Sequence, residues 1–452
     1  MAKTYESYKD SGIAWIGEIP CAWKVMPHKR VMKKIKAIQE HYQGEDIISL
    51  SMNGVIIRDL DAGGKMPTTF DGYQKVYPGN LLLCLFDIDV TPRCVGLIKN
   101  NGVTSPAYSQ FEMLPKAYAP YYGYLLRYLD DNKTLLHLSK NLRSSLTEAD
   151  FGQIYTIQPS LAEQKSIASF LDTKCGEIDS LISLQEEMIS ELQAYKQSVI
   201  TEAVTKGLDP NAKMNCCASR EKNDACISSS ETQPAIERKF KDSGVEWIGE
   251  IPENWKVSKV GLQYNVILGK MLCPKQLNDD YSLEKYYCAA NVHFNGIEGE
   301  LKKMWFSSLD KETYLTKKGD LLVVEGGAGA GGCAIVNDDE SPVYIQNSIM
   351  IVRPKLINDV RYLRYQIEQF VKRGYIDVVC NKATIPHFTK DKVSNMQIPL
   401  PSFEVQQQIA NYLDDKTSQI DSLISLKQQK IDELKSYKKS IIYEYVTGKK
   451  RV

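Results

Sequence analysis

A glycine-rich loop is the segment of this sequence that most resembles a chemical motif. Gly326-Gly-Ala-Gly-Ala-Gly-Gly332 contains the spacing G-x-G-x-x-G at Gly327, Gly329 and Gly332. In a nucleotide or methyl-donor site, a helix must follow at once so that its N-terminus can hold phosphate. Here Cys333-Ala-Ile-Val-Asn follows, which predicts a strand ending in a turn. We interpret the loop as a link between two strands that can approach a nucleic-acid backbone; a methyltransferase using it for its methyl donor is the alternative.

Other catalytic patterns are missing from the sequence. There is no G-x-x-x-x-G-K-[ST] phosphate loop and no [ND]-P-P-[YF] segment of the kind that holds a flipped base. The histidines show no metal spacing: His28, His41, His137, His293 and His387. The eleven cysteines form no C-x-x-C pair, which favours reduced thiols. Cys216, Cys217 and Cys226 are interpreted as linker residues, with a redox or metal role as the alternative. We predict a non-catalytic chain without a metal site.

Charge and hydropathy narrow the class of protein. The 452 residues include 56 Lys and Arg against 56 Asp and Glu, so the simplest argument for a nucleic-acid partner fails. Locally, residues 24–150 carry 16 basic against 13 acidic residues, and residues 256–395 carry 19 against 16. The cluster Lys29, Arg30, Lys33, Lys34 and Lys36 reads equally as a phosphate-contacting face or a solvated helix surface. No apolar run is long enough for a membrane helix, and no secretion signal is evident, so we expect a cytoplasmic protein.

The sequence contains two blocks that each occur twice, and these repeats define its domain organisation. The segment Lys9–Val25, with the core Trp-Ile-Gly-Glu-Ile-Pro-x-x-Trp, recurs as Lys241–Val257 with 13 of 17 positions identical. Ala162–Gly207 recurs as Glu404–Lys449 with 23 of 46 positions identical. The segments between these blocks differ almost entirely. We therefore expect two similar modules, one in each half of the chain, that share a geometry but recognise different targets.

The second repeated block predicts a long helix in each half. Apolar residues recur every seven positions, which is typical of coiled coils. We expect the two helices to pack on each other as an antiparallel coiled coil, with packing of each on its own domain as the alternative. The predicted pairing residues are Leu171, Ile178, Leu181, Gln185 and Leu192 in the first helix, and Leu413, Ile420, Leu423, Lys427 and Leu434 in the second. Gln185 and Lys427 are expected to face each other near the midpoint.

Both variable segments are predicted to be mixed α/β (α+β) and to share one fold. Strands are expected at Asn80–Phe86 and Cys94–Ile98 in the first, and at Asp320–Glu325 and Val343–Arg353 in the second, each set followed by a helix.

Together, the twofold repeat, the Trp-Ile-Gly-Glu-Ile-Pro-x-x-Trp blocks and the Gln-x-x-Ile-Ala-x-Phe/Tyr-Leu-Asp…Ile-Asp-x-Leu-Ile helices resemble the specificity subunit of bacterial type I restriction–modification systems. The resemblance covers nearly the whole chain. It implies two target-recognition domains separated by two long helices, related by a pseudo-twofold repeat. The implied order is residues 1–160, first target-recognition domain; 161–207, first helix; 208–239, linker; 240–402, second target-recognition domain; and 403–452, second helix and tail.

The resemblance also implies partners and a division of labour. Each domain would read one half of a bipartite site in double-stranded DNA, and the helices would set the spacer and dock two modification subunits. Restriction subunits would translocate and cut DNA. S-adenosylmethionine, ATP and magnesium would belong to the partner subunits, leaving no cofactor in this chain. A coiled-coil scaffold without DNA specificity of its own is the remaining alternative.

Candidate DNA contacts follow from residue type and expected loop position, because Asn, Gln and Arg read base edges while Lys and backbone amides contact phosphate. In the first domain they are Arg58, Lys65, Tyr73, Arg93, Asn141 and Arg143. In the second domain they are Gly327, Gly329, Gln346, Asn347, Asn381, Lys382 and His387.

Overall fold

The computed structural model describes residues 4–52, 54–61, 67–89, 94–138, 144–208, 239–338, 341–380 and 386–452. Six of the DNA-contact candidates and three cysteines lie outside these ranges: Lys65, Arg93, Asn141, Arg143, Asn381, Lys382, Cys216, Cys217 and Cys226. The chain forms two compact units. Unit 1 is Met1–Glu187 with Lys427–Val452, and unit 2 is Met188–Leu426. Each unit therefore contains a part of both long helices, a division that cuts across the predicted order of segments.

Unit 1 is built on a four-stranded antiparallel sheet. Its described strands are β1 (Tyr8–Asp10), β2 (Glu18–Pro20), β3 (Lys24–Pro27), β4 (Met32–Ile35), β5 (Ile48–Ser51), β6 (Gly54–Ile57), β7 (Gln74–Val76), β8 (Leu81–Leu83), β9 (Val95–Leu97), β10 (Gly102–Thr104), β11 (Ser109–Met113) and β12 (Tyr155–Gln158). The sheet order is β4-β11-β8-β9, and the pairs β1-β2, β3-β12, β5-β6 and β7-β10 surround it. The described short helices are α1 (Ala119–Asp131), α2 (Thr134–Leu138) and α3 (Glu148–Gln153).

Unit 2 repeats this plan. Its described strands are β13 (Phe240–Asp242), β14 (Glu250–Pro252), β15 (Lys256–Lys259), β16 (Tyr264–Leu268), β17 (Ser282–Tyr287), β18 (Val292–His293), β19 (Gly296–Ile297), β20 (Lys302–Phe306), β21 (Leu321–Val324), β22 (Cys333–Ile335), β23 (Tyr344–Ile345), β24 (Ile349–Pro354) and β25 (Gln397–Leu400). The main sheet has the order β16-β24-β21-β22, flanked by β20-β17-β23 and by the pairs β13-β14, β15-β25 and β18-β19. The long helix α4 (Leu161–Lys206) enters from unit 1, and α5 (Val260–Gln263), α6 (Ser308–Tyr314), α7 (Val360–Lys372), α8 (Tyr375–Val379), α9 (Lys390–Asn395) and α10 (Phe403–Val446) follow.

The two main sheets are equivalent strand by strand. β8 and β21 lie in the middle of their sheets and are buried along their whole length, which explains their uninterrupted apolar sequences. The register also matches. In unit 1, Met32 pairs with Met113 and Ile35 with Gln110; in unit 2, Tyr264 pairs with Pro354 and Ile267 with Ile351. The prediction that both variable segments share one fold is confirmed. One predicted strand, Val343–Arg353, is in fact two, β23 and β24, interrupted by a turn at residues 346–348.

The long helices α4 and α10 pack on each other in antiparallel orientation, as predicted. In unit 1, Lys438 Nζ lies 2.6 Å from Asp179 Oδ1, and Lys427 Nζ lies 3.4 Å from Gln185 Oε1. In unit 2, Lys196 Nζ lies 2.7 Å from Asp421 Oδ2. Partner numbers on α10 fall as those on α4 rise, which defines the antiparallel alignment. The polar pair at the midpoint meets at the expected level.

Two of the ten predicted pairing residues, Leu181 and Leu423, are wrong. Leu171, Ile178, Leu413 and Ile420 are buried as expected, and Gln185, Leu192, Lys427 and Leu434 are partly buried. However, Leu181 and Leu423 are about half exposed, at 48% and 47%. Instead, the residues four positions after Leu171, Ile178, Leu413 and Lys427 are buried, and these are Cys175, Ile182, Thr417 and Ile431. After Ile178 and after Ile420, the third residue is Leu and the fourth is Ile, so apolar periodicity alone favoured the wrong position.

The far end of each long helix completes the core of the unit it reaches. In unit 2, the end of α4 contributes Ile200 and Val204 to the main core. Tyr362 Oη donates a hydrogen bond to the Val204 carbonyl at 3.2 Å. In unit 1, the end of α10 plays the same part, and Tyr121 Oη donates to the Val446 carbonyl at 2.8 Å. Each unit is thus closed by a helix that begins in the other half of the sequence.

The buried His28 makes the stability of unit 1 dependent on pH. Its ring stacks on Phe151 at a centroid distance of 4.6 Å, and burial lowers its pKa from 6.5 to about 4. The unfolded chain therefore takes up a proton between these values while the folded chain does not, so stability is full above pH 6.5 and falls toward pH 4. Val260 occupies the equivalent buried position in unit 2.

We expect the free energy of unfolding of unit 1 to drop by about 2 kcal/mol from pH 7.5 to pH 5 through this single residue. The variant His28→Val, copied from the second repeat, removes the proton-binding group and should lose that part of the pH dependence. Thermal unfolding of both proteins at the two pH values measures it. An identical pH dependence in the variant would contradict the assignment to His28.

Candidate nucleic-acid interface

Loops from four strands meet at one edge of the main sheet of unit 2. Because neighbouring strands run in opposite directions, the end of β16, the start of β24, the end of β21 and the start of β22 share this edge. We call it loop edge 2. It comprises the glycine-rich loop, the turn at residues 346–348, residues 269–270 and the segment 386–388. Loop edges positioned by a rigid sheet are common sites of recognition.

The glycine-rich loop joins β21 to β22, two neighbouring strands of the sheet. As expected, a strand rather than a helix follows it, so the loop lacks the helix N-terminus that a phosphate-binding fingerprint requires. Gly327 has φ +91°, and a Cβ at Gly327 or Gly329 would meet nothing within 4 Å. Both glycines therefore present open backbone at the loop edge. Gly331 is different, because at φ +80° a Cβ there would lie 2.6 Å from Val371 Cγ2.

The segment that carries His387 pairs with this loop. The Phe388 amide donates to the Glu325 carbonyl at 2.6 Å, and the Gly327 amide donates to the Pro386 carbonyl at 3.2 Å. A Cβ on Gly326 would come within 2.9 Å of His387 Nδ1, so glycine is needed for this close approach. His387 itself is exposed.

Gln346 and Asn347 are held beside the loop in a hydrogen-bonded turn. Gln346 Nε2 donates to Asn347 Oδ1 at 2.6 Å, and Ser348 Oγ donates to Gln346 Oε1 at 2.5 Å. The Glu325 amide donates to the Ser348 carbonyl at 2.9 Å, which ties the turn to the glycine loop. The structure thus brings together Gly327, Gly329, Gln346, Asn347 and His387, the described candidates of the second domain.

Unit 1 has an equivalent edge, formed by the residues that follow β8, those that precede β11 and the segment around Leu146, and we call it loop edge 1. The Leu146 amide donates to the Leu85 carbonyl at 2.7 Å, matching the pairing of Phe388 with Glu325 in unit 2. Phe86 and Tyr108 stack there with ring centroids 6.2 Å apart, and Phe86 is 37% exposed. Sequence reasoning missed this aromatic pair because Phe86 ends an apolar run and looked like part of a buried strand.

Arg58 and Tyr73 lie elsewhere in unit 1. Arg58 follows β6, and its amide donates to the Ile47 carbonyl at 2.7 Å. Tyr73 precedes β7 and meets Phe70 edge-on at 5.3 Å. Both belong to the layer of β5, β6, β7 and β10, whose buried residues pack on the main sheet. The structure therefore does not group them with loop edge 1 as it groups the candidates of unit 2.

Three lysines of the basic cluster of unit 1 make contacts within the unit, two of them with carboxylates. It lies on a short helical turn and on β4 rather than on a helix surface. Lys33 Nζ lies 3.6 Å from Glu112, Lys34 forms an ion pair with Glu148, and Lys29 Nζ donates to Gln153 at 3.2 Å. These contacts favour a structural role for these lysines over contact with phosphate.

A buried cysteine, Cys333, directly follows the glycine-rich loop. Burial raises the pKa of the Cys333 thiol, next to the glycine loop, to about 12, which keeps it protonated and unreactive. Within the described ranges no group of His, Cys, Asp and Glu is arranged to hold a metal ion. None of the described helices combines the length and apolar character needed to cross a bilayer.

The chain is similar to proteins described as type I restriction–modification specificity subunits. The family model described as the type I restriction modification DNA specificity domain matches residues 252–436. Two relatives come from Methanocaldococcus jannaschii. The type I restriction enzyme MjaVIII specificity subunit is 26% identical over 167 residues, which are 36% of either chain. The putative type I restriction enzyme MjaX specificity subunit is 23% identical over 350 residues, 74% of this chain and 68% of the relative.

Two solved structures share the fold over 95% of this chain and 98% of their own, each at 15% identity. One, from work on complex assembly and conformational transition of the type I R-M system, has a TM-score of 0.67. The other, the HsdS subunit from Thermoanaerobacter tengcongensis, has a TM-score of 0.51. The chain thus spans nearly the full length of both structures but only about a third of the MjaVIII subunit.

Proposed function

We propose that this chain is a DNA sequence-specificity subunit of a type I restriction–modification system, as its similarity to such subunits supports, and that its two units divide this work. Each unit reads one half of a bipartite site in double-stranded DNA through its loop edge. The grouping of Gln346, Asn347, His387 and the open glycine backbone at loop edge 2 carries this proposal. Amide side chains can read base edges, and exposed backbone can approach phosphates.

The chain itself contributes recognition rather than catalysis in this proposal. Two modification subunits supply the methyl donor, S-adenosylmethionine, and the adenine chemistry. Restriction subunits use ATP and magnesium to translocate and cut DNA. The assembly works in the cytoplasm, on the DNA of the cell. The continuous helices α4 and α10 set the length of the unread spacer between the half-sites.

The direct test is to map methylated adenines by single-molecule sequencing in cells that express this chain with its modification partner. We expect one bipartite motif. The double variant Gln346→Ala with Asn347→Ala should relax the second half-site by about tenfold or more at one or two positions and leave the first half-site unchanged. Gln407→Ala, at an exposed position on α10 within unit 2, is the matched control. Methylation at all sequences equally, or at none, would favour a scaffold without DNA specificity.

Exposed leucines on the long helices support the proposed docking of two modification subunits. Leu181 and Leu184 of unit 1 are 48% and 49% exposed, and the identical positions Leu423 and Leu426 of unit 2 are 47% and 60% exposed. These four leucine side chains do not contribute to the buried contact between α4 and α10. Their repetition in a chain whose loop edges have diverged indicates two copies of one partner bound in the same way.

We expect Leu181→Asp with Leu184→Asp to remove one modification subunit from the complex, and Leu423→Asp with Leu426→Asp to remove the other. Buried apolar contacts are worth roughly 1.5–3 kcal/mol per leucine, so two charged replacements should lower affinity at least a hundredfold. Native mass spectrometry counts the subunits. Ser183→Asp adds a charge on the other flank of the same helix turn and should leave two subunits bound. Unchanged stoichiometry in both leucine variants would exclude these patches.

A further inference from the structure

Two large apolar side chains stand in solvent at loop edge 2. Met271 is 76% exposed and Leu272 is 58% exposed. They come directly after Lys270, where β16 has left the main sheet. Neither side chain contributes to the cores of unit 2.

The backbone around these side chains is fixed at both ends. The Lys270 amide donates to the Ile345 carbonyl at 3.1 Å, and the Asn347 amide donates to the Lys270 carbonyl at 2.8 Å. Two residues beyond Met271, the Cys273 carbonyl accepts from the Trp305 amide at 3.0 Å. Lys270 is also held by an ion pair with Asp310, so its charge is already engaged inside the unit. Hydrogen bonds therefore fix the backbone on both sides of Met271 and Leu272, and the residue before them, Lys270, is bonded directly to Asn347.

We propose that Met271 and Leu272 form an apolar base contact in the second half-site, suited to the C5-methyl group of thymine. This inference rests on the proposed function, because it adds a second kind of contact to the same loop edge. Apolar contact is how proteins distinguish the methyl of thymine in the major groove, where the neighbouring amides of Gln346 and Asn347 would read polar atoms. DNA is favoured over a protein partner because the pair is continuous with those amides.

The first repeat has other residue types at the corresponding sequence positions. Met32 and Ile35 of β4 pair with β11 in the same register in which Tyr264 and Ile267 of β16 pair with β24. Counting onward at the constant offset of 232 puts Gln39 and Glu40 of unit 1 at the positions of Met271 and Leu272. In unit 1 these positions lie beside β7, because the Gln39 amide donates to the Tyr73 carbonyl at 2.8 Å and Gln39 Nε2 donates to Glu45 Oε1 at 2.7 Å. Polar residues therefore occupy the corresponding positions of the first repeat, and the apolar contact that we propose belongs to the second half-site.

The test uses the complex with its modification partner and duplexes that contain its mapped site. Each thymine of the second half-site is replaced, one at a time, by deoxyuridine, which lacks only the methyl group. We expect at least one replacement to weaken binding of the wild-type complex about fourfold, as for loss of one buried methyl. The double variant Met271→Gln with Leu272→Glu, copied from the first repeat, should bind thymine and deoxyuridine equally at that position. Deoxyuridine in the first half-site should affect both complexes alike.

Three outcomes would overturn the inference while leaving the proposed function intact. The second half-site contains no thymine on either strand, or the variant discriminates deoxyuridine as the wild type does. In the third, the variant loses its modification subunits but keeps its base discrimination, which would make the pair a protein contact. By contrast, a complex without any sequence preference would remove the proposed function itself. Thermal unfolding of the variant confirms that its fold is retained.

Discussion

Replacing residues 24–158 with residues 256–400 of the same chain is expected to give a complex that methylates a site with the second half-site on both sides of the spacer. The joints are structurally equivalent. Lys24 pairs with Gln158 in one ladder, and Lys256 pairs with Leu400 in the other, so each exchanged segment starts and ends at neighbouring positions. The original first half-site should disappear entirely.

The helices to which the grafted segment must dock are also equivalent. Gln164 Oε1 accepts from the Tyr118 amide at 2.8 Å in unit 1, and Gln406 Oε1 accepts from the Asp359 amide at 3.0 Å in unit 2. Mapping of methylated adenines gives the result. The reverse graft should give the first half-site twice and serves as the control. Survival of the original first half-site in the graft would mean that recognition lies outside residues 24–158.

Lengthening both long helices by four residues is expected to lengthen the spacer while both half-sites stay the same. Duplicating Ile182–Gln185 in α4 and Ile424–Lys427 in α10 adds about 6 Å to each helix and about 40° of rotation beyond one full turn. DNA rises about 3.4 Å and turns about 35° per base pair. The spacer should therefore grow by one or two base pairs. A four-residue insertion loosens the supercoil locally but keeps the apolar seam continuous.

The control for this experiment is duplication in one helix only. It shifts one side of the pair against the other and separates charged partners such as Lys438 and Asp179 or Lys196 and Asp421. We expect that protein to lose methylation rather than to change its spacer. An unchanged spacer after the double duplication would contradict the role of the helices in setting it.

The repeats made much of the fold predictable from the sequence. Helices with a sevenfold apolar period must bury a stripe, and two copies on one chain can bury it against each other. The choice between adjacent stripes was not predictable, because Leu181 and Ile182 are both apolar and only three-dimensional packing decides which is covered. The residues left uncovered are those that we now assign to partner docking.

The candidate site was predictable in part for a related reason. Gln346, Asn347 and His387 were found because polar residues near expected loops suit base recognition. Phe86 and Met271 were missed, since an apolar residue next to a strand reads as core. Their exposure depends on which strands pair and where each strand ends, and those contacts join residues far apart in the sequence. Arg58 and Tyr73 stay predictions, in a different layer of unit 1.

The hydrogen bond from Tyr121 to Val446 joins residues 325 positions apart within unit 1. During synthesis on the ribosome, the amino-terminal unit therefore emerges long before the helix end that closes its core. At typical translation rates of about 5–20 residues per second, it waits tens of seconds with that face open. Unit 2 receives its closing helix end before its own sheet is made. The half of the chain made first thus finishes folding last, and in that interval it is the part most exposed to proteolysis and aggregation.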